Sequence, residues 1–357
     1  MPDIIPILSS SCHYKQAFEE GLTRILQYKT AGTFILACAN LFQHPDILKN
    51  NTSQLHEVYD YIKEHYQVCR QEGRQPDDAP DDIAVMKSLI EIGLDNLEAV
   101  EYHKVDSGGV DYLLNYNQLR SFRPARMSKS DNIQLDSPFK PEGFHFARPF
   151  LEKEIFAEGE VDGKQLSLLY NKFPFVYYHA LLVVDKEKHN NQYLTQDYLN
   201  YIVNLQSRTQ QHCPDFVITY NSLGAVASVN HLHFHAYLET TPLAIFSPAF
   251  AHNGGDQHYP ANCQVFTNFM EAWQRIEILH NNNTPYNLLI RNNRIYCLPR
   301  RFPSVESPDN TLSGIDTSLF GWSQMVGLIN VDNREMLSEL TAAQIRSSLE
   351  SVSALNN

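Results

Sequence analysis

Three histidines alternate with apolar residues in the run Asn230-His231-Leu232-His233-Phe234-His235-Ala236-Tyr237-Leu238. Successive side chains of a β-strand point to opposite faces. The spacing therefore predicts His231, His233 and His235 on one face, with Leu232, Phe234 and Ala236 on the other. The chain has 15 His in 357 residues, a density at which three in strict alternation rarely arise by chance. Imidazole serves two chemistries in such a row: it is the commonest metal ligand, and in its neutral form it is a nucleophile near pH 7. A polar strand face with no chemistry is the plain alternative.

The residues just upstream weigh on that choice. Phe216-Val217-Ile218-Thr219-Tyr220 reads as a strand. The stretch from Asn221 to Asn230 that follows it is rich in small and hydroxyl residues and holds one glycine. Such a loop can bring backbone N–H groups and hydroxyls close to an anion. A metal site has no need of it, whereas a phosphate held beside a nucleophilic histidine does. A simple hairpin loop accounts for the glycine nearly as well.

Further upstream, Asn171-Lys172-Phe173-Pro174 is followed by the apolar run Ala180–Val184, led by His179, which reads as a central strand. Together with Tyr220–Leu238, these residues resemble the family of GDP-D-glucose phosphorylases and plant GDP-L-galactose phosphorylases. That family lies in the histidine-triad (HIT-like) nucleotidyltransferase superfamily, beside galactose-1-phosphate uridylyltransferase and the diadenosine tetraphosphate phosphorylases. The resemblance covers residues 105–300. It implies an α+β fold: a HIT-like antiparallel sheet with flanking helices over 106–302. A largely helical N-terminal elaboration (1–105) precedes it, and a C-terminal extension (303–357) packs on it.

The function implied by the resemblance is phosphorolysis of a GDP-hexose, GDP-glucose favoured, to hexose 1-phosphate and GDP. His233 would be the nucleophile and carry the guanylyl group. His231 and His235 would donate to phosphate oxygens or orient its ring. Asn221, Ser222, Gly224, Ser228 and Asn230 would line the phosphate cradle, and Asn171 and His179 would belong to the nucleotide pocket. Arg120 and Arg123, followed by Arg126 and Lys129, form either a solvated basic loop or an arm that reaches phosphates; relatives have a similar segment here. No cofactor or metal is expected, and the partners are GDP-hexose and inorganic phosphate. Oligomeric state stays open, a homodimer included. One departure stands out. The transferase branch often has Gln where His235 stands, which leaves water open as acceptor. Hydrolysis, diadenosine polyphosphate phosphorolysis, a nucleotide-binding regulator without catalysis, and a metal-binding β protein are the competing readings.

Composition narrows the classes. A net charge of −13 argues against a broad nucleic-acid footprint, so an anionic substrate must be met by local basic groups. A 43% hydrophobic share excludes wholesale disorder. No apolar run reaches the length of roughly 18 residues that a membrane helix needs, and Met1–Pro6 lacks the pattern of a signal peptide. Six scattered cysteines without a C-x-x-C pair read as free thiols in a reducing cytoplasm.

The elements around these motifs follow from periodicity. Helices are expected at 15–28, 53–72, 82–101 (with Asp82 as N-cap), 194–211 and 341–353. Phe34–Ala39 is either a strand or a buried helix. Val110–Asn117 reads as a strand and 128–148 as an irregular connection. Residues 242–262 and 303–318 read as loops. Pro285–Arg300, two apolar runs around Asn292-Asn293, carries a strong hairpin signal.

Overall fold

The computed structural model describes residues 2–122, 134–303 and 315–354. Eleven strands appear among them: β1 (Glu101–Asp106), β2 (Asp111–Tyr116), β3 (Ile155–Val161), β4 (Lys164–Tyr170), β5 (Ala180–Val184), β6 (Phe216–Asn221), β7 (His233–Leu238), β8 (Gln264–Phe266), β9 (Tyr286–Arg291), β10 (Arg294–Pro299) and β11 (Leu328–Val331). Eight of them form one antiparallel sheet in the order β3-β4-β5-β7-β6-β9-β10-β8, with the histidine strand β7 between β5 and β6.

Alternation along β7 gives the sheet its two faces. Phe234, Ala236 and Leu238 join the main core with residues of helices Ser11–Ile25, Ala31–Gln43, Pro45–Gln71, Pro80–Ile92 and Gln196–Thr209. On the other face Tyr237 joins a second core beneath a three-stranded sheet, β1-β2-β11, and helix Ala342–Val352. A third, small cluster of Phe146, Leu151, Ile155, Leu169 and Val183 covers the β3–β5 end of the same face. His233 and His235 lie between these two coverings.

Several expectations hold and some are corrected. Phe34–Ala39 lies inside helix Ala31–Gln43, buried on all sides, which is why periodicity could not separate helix from strand. The next helix begins at Pro45 rather than Ser53, with proline in its first turn where the missing N–H costs nothing. The helix expected over 82–101 spans Pro80–Ile92. Its N-cap is Ala79, not Asp82, and Gly93 ends it at φ +87°. Asp82 sits in the first turn, where it pairs with Lys172. The hairpin β1–β2 straddles the boundary placed at 105/106, and β11 runs parallel to β2. The β9–β10 hairpin turns on Asn292 and Asn293, both at positive φ as a two-residue type I′ loop requires. All six cysteines are free. No described helix is long and apolar enough to cross a membrane.

Candidate active site

The site begins where β6 and β7 part. Their ladder runs from Phe216↔Leu238 to Thr219↔His235, and beyond it the chains diverge into the loop 222–232. Gln192, 1% exposed, fills the gap. Its Nε2 donates to the carbonyls of Asn221 (2.8 Å) and His233 (3.0 Å), and its Oε1 accepts from the His233 N–H at 2.9 Å. One side chain thus replaces the missing ladder bonds and fixes the backbone of His233.

Backbone contacts also assign the tautomers. The His233 Nδ1–H donates to the His231 carbonyl at 2.8 Å. A carbonyl can only accept, so Nδ1 carries the proton and Nε2 keeps its lone pair. At His231 the logic inverts: the Phe146 N–H donates to Nδ1 at 2.9 Å, so Nε2 carries the proton. That Nε2–H is buried and has the Lys186 carbonyl within reach, which favours the proton on this nitrogen. One ring therefore keeps a lone pair on Nε2 and its neighbour carries its proton there. His231 stands just ahead of β7, not within it.

The third histidine belongs to another chain of contacts. Asn171 Oδ1 accepts from the Phe173 N–H at 3.0 Å, which identifies its other atom as the amide nitrogen. That Nδ2 lies 3.3 Å from His179 Nε2, so His179 Nε2 is an acceptor. His235 Nδ1, 3.0 Å from the same nitrogen, must then carry a proton, and its own Nε2 is left as an acceptor. His179 is fully buried between His235, Phe175 and Trp322. Asn171 and His179, expected in the nucleotide pocket, thus stand behind His235 and orient it.

The loop offers backbone more than side chains. Asn221 Oδ1 accepts from Asn287 Nδ2 (2.6 Å) and from the Trp322 N–H (2.9 Å). Ser222 Oγ accepts from the Tyr286 N–H at 2.9 Å. Asn230 accepts from the Gln192 N–H and donates to the carbonyls of Ser137 and Pro138. Ser222, Asn230 and the Oδ1 of Asn221, expected to face a phosphate, are spent holding the loop and the segment 134–148. Ser228 is exposed. Gly224 has φ +73°, and a Cβ there would stand 2.4 Å from Phe302, so both backbone and space demand glycine. Val226 has φ +69°, a strained conformation for a β-branched residue that costs on the order of 1–3 kcal/mol. The N–H groups of Val226 and Ser228 meet no acceptor among the described residues. Such left-handed turns aim successive N–H groups into a concavity that suits an anion.

Residues with no recognisable sequence signal complete the walls. Trp322, 1% exposed, stacks on Tyr237 (5.2 Å, 17°) and lies 6.1 Å from the His235 ring. Phe146 packs on His231 and His233, at 5.7 and 5.0 Å. Arg120 lies over Phe175 at 4.9 Å, donates to the Phe173 carbonyl, and acts electrostatically on both His179 and His235. Of the expected cations it is the one within the described residues, and it lies close to the histidines. Arg123, Arg126 and Lys129 fall outside the described residues. No group of three or more His, Cys, Asp or Glu among the described residues is arranged to hold a metal ion.

Burial keeps these rings neutral. Desolvation pulls His233 down to about 4 and His231 and His179 to about 3, with Arg120 further disfavouring charge on His179. His235 is lowered for the same reasons, burial first and then its neighbours His179, His233 and Arg120. The linked stability effect has a definite sign. An unfolded imidazole titrates near 6.5, so between that pH and about 4 the unfolded chain binds more protons than the folded one. Stability is then complete above pH 6.5 and falls as pH drops through this window. Urea unfolding at pH 7.5, 6 and 5 should show midpoints that decrease in that order. A flat series would mean that these rings titrate alike in both states.

Comparison with known proteins gives a consistent result. The family described as GDPGP1-like, N-terminal domain, matches residues 95–237. GDP-D-glucose phosphorylase 1 of Danio rerio is 28% identical over 167 residues, 45% of this chain and 46% of its own length. GDP-L-galactose phosphorylase 2 of Arabidopsis thaliana is 29% identical over 242 residues, 57% of this chain and 55% of its own length. The chain thus spans about half the length of the curated relatives it matches. Yeast Ap4A phosphorylase Apa2 shares the fold, with a TM-score of 0.51 at 19% identity over 78% of this chain and 96% of that one.

Proposed function

We propose that this chain, similar to the GDP-hexose phosphorylases over residues that include the histidine strand, is a nucleotidyltransferase that phosphorolyses a GDP-hexose, GDP-glucose foremost. The observation that carries the reading is His233: a neutral imidazole whose Nδ1–H is held by a backbone carbonyl, leaving Nε2 as the nucleophilic atom. In the first half-reaction Nε2 attacks the α-phosphorus. The bond from that phosphorus to the bridging oxygen breaks, and hexose 1-phosphate leaves with the electron pair. In the second, an oxygen of inorganic phosphate attacks the guanylyl-histidine, the P–N bond breaks, and its electron pair returns to Nε2. GDP is released. Splitting one displacement into two is what a covalent intermediate provides.

The neighbours have matching parts. His231 Nε2–H and the free N–H groups of the loop suit the non-bridging oxygens of the α-phosphate, where fixed donors stabilise transferred phosphoryl groups without reorganising. His235, with its proton on Nδ1, offers Nε2 as acceptor for the proton of an incoming hydrogen phosphate. Phe144 and Phe150, 46% and 54% exposed and 6.3 Å apart, join the site through Phe146 and offer apolar faces to a base. Six free thiols fit a reducing cytoplasm.

The same His235 atom could accept a proton from water, which makes hydrolysis the second reading. Incubation with GDP-glucose, with and without phosphate, separates the two. Phosphorolysis should give glucose 1-phosphate and GDP at a rate that rises with phosphate. A rate indifferent to phosphate, with GMP as product, would assign the enzyme to the hydrolases. Diadenosine tetraphosphate and UDP-glucose in parallel reactions test base and leaving group.

A further inference from the structure

Tyr178 stands just ahead of His179 with φ +54°, in the left-handed region that a bulky residue rarely enters. Such strain persists only where the surroundings over-determine it, and it clusters at functional sites. Here the helical N-terminal region supplies those surroundings. The Tyr178 N–H donates to His44 Nε2 at 3.2 Å, and its carbonyl accepts from the Tyr14 hydroxyl at 3.3 Å. Its own hydroxyl donates to Glu19 at 3.0 Å. The ring lies against Phe18 (5.4 Å) and His44 (4.3 Å), with the Lys15 ammonium 5.5 Å from its centroid. Tyr14, Lys15, Phe18 and Glu19 come from helix Ser11–Ile25, and His44 is the C-cap of helix Ala31–Gln43. Burial, and then the Lys15 charge, pull His44 down to about 3, so its Nε2 stays an acceptor.

The other leg of the same turn is held from the last turn of helix Ala31–Gln43. Asn40, fully buried, donates Nδ2 to the Asn171 carbonyl at 2.9 Å. Asn40 and His44 thus grip residues 171 and 178, the two legs of the turn that leads into β5. The Asn171 N–H ties these legs together by donating to the His179 carbonyl at 3.2 Å. Asn171 and His179 are also the residues that place the proton of His235 on Nδ1. Contacts therefore run without a break from the N-terminal helices to the third histidine. Asn40 and His44 both lie ahead of residues 95–237, the part that the family match covers.

We propose that the N-terminal helices are a positioning device for His235, in which Asn40 and His44 lock the 171–179 turn and so fix the ring that takes the proton of the incoming phosphate. The proposal rests on the GDP-hexose reading for the step it affects, whereas the tautomer of His235 is independent of that reading. Asn40 and His44 act only through Asn171, Tyr178 and His179, so they are positioning residues.

Two variants test the lock. His44→Phe keeps a ring against Phe18 and Tyr178 and removes the acceptor. Tyr14→Phe deletes a single hydroxyl, and it carries the test should His44→Phe not fold. In protein with isotope-labelled histidine, two-bond proton–nitrogen correlations report which ring nitrogen holds the proton. The His235 pattern is identified by its loss in His235→Gln. Wild type should show the proton on Nδ1, His44→Phe a mixture of both tautomers, and Tyr14→Phe a smaller admixture.

Single-turnover kinetics with GDP-glucose labelled in the α-phosphate then separate the half-reactions. In His44→Phe, removal of label by phosphate should slow by about ten- to a hundredfold, as expected for a misplaced general base, while loading of His233 slows by less than about threefold. An unchanged His235 pattern in both variants would overturn the proposal. Equal slowing of the two half-reactions would also overturn it and leave the helices a purely stabilising role. If the wild-type protein turns over no GDP-hexose, the functional reading fails separately, and the tautomer pattern still decides the positioning.

Discussion

His233→Ala is expected to abolish guanylyl transfer, with no residual turnover above background, while His231→Ala and His235→Ala keep weak activity. The difference follows from what each ring can do. Only His233 combines a backbone-fixed Nδ1–H with a free Nε2, and burial holds it near 4, so it is neutral and nucleophilic at pH 7. Removing it removes the atom that forms the bond. His231 contributes an Nε2–H donor whose loss the backbone N–H groups of the loop partly offset. Loss of one such donor costs on the order of 10²–10³ in kcat. His235 acts through a proton, which solvent can replace at reduced rate. Wild-type protein given GDP-glucose labelled in the α-phosphate, without acceptor, should retain acid-labile label, and peptide mapping should find it on His233. The His231→Ala variant should still trap label, only more slowly. Sequential kinetics with no trapped label would refute the covalent route even if the products were those expected.

The central strand was legible in the sequence because the chemistry and the core share one period. Leu232, Phe234 and Ala236 had to be buried, which forced His233 and His235 to the opposite face. The hairpin on Asn292-Asn293 was legible because its turn demands residues that tolerate positive φ. What escaped is non-local. Trp322 is one of two tryptophans, in a segment with no motif, and only the packing of β11 beside β2 brings it over His235. The loop asparagines and Ser222 read as ligand donors because their types suit that task. Their partners, Tyr286, Asn287 and the carbonyls of Ser137 and Pro138, lie far away in sequence, so their internal use could not be seen. Asn171 read as a contact residue, and its amide also sets the tautomer of His179. Side-chain amides carry both a donor and an acceptor, and the sequence cannot say which interface spends them.

Gln192 shows what that ambiguity hides, and its replacement should have the largest effect of any residue that never touches substrate. Gln192→Ala leaves the His233 N–H and the carbonyls of Asn221 and His233 without their partner, in a place where the side chain they lose is 1% exposed. Each buried, unsatisfied group costs about 1–3 kcal/mol. The three together should lower the free energy of unfolding by roughly 3 kcal/mol or more, a large fraction of a typical 5–15 kcal/mol. Freed from its clamp, the start of β7 can shift, and a displacement of about 1 Å can cost 10²-fold in rate. The loss should therefore appear in kcat more than in KM. Gln192→Glu separates clamp from volume. Its carboxylate keeps an acceptor for the His233 N–H but sets an oxygen against two carbonyls. Protonation restores a donor to one of them. Burial and those carbonyls both raise the folded-state pKa of the new carboxyl, so this variant, relative to wild type at each pH, should regain stability and kcat as pH falls from 8 to 6. Urea unfolding and steady-state rates across that range, normalised to wild type, make the measurement. Equal deficits at both ends would show that Gln192 fills space and does not hold His233 by its hydrogen bonds.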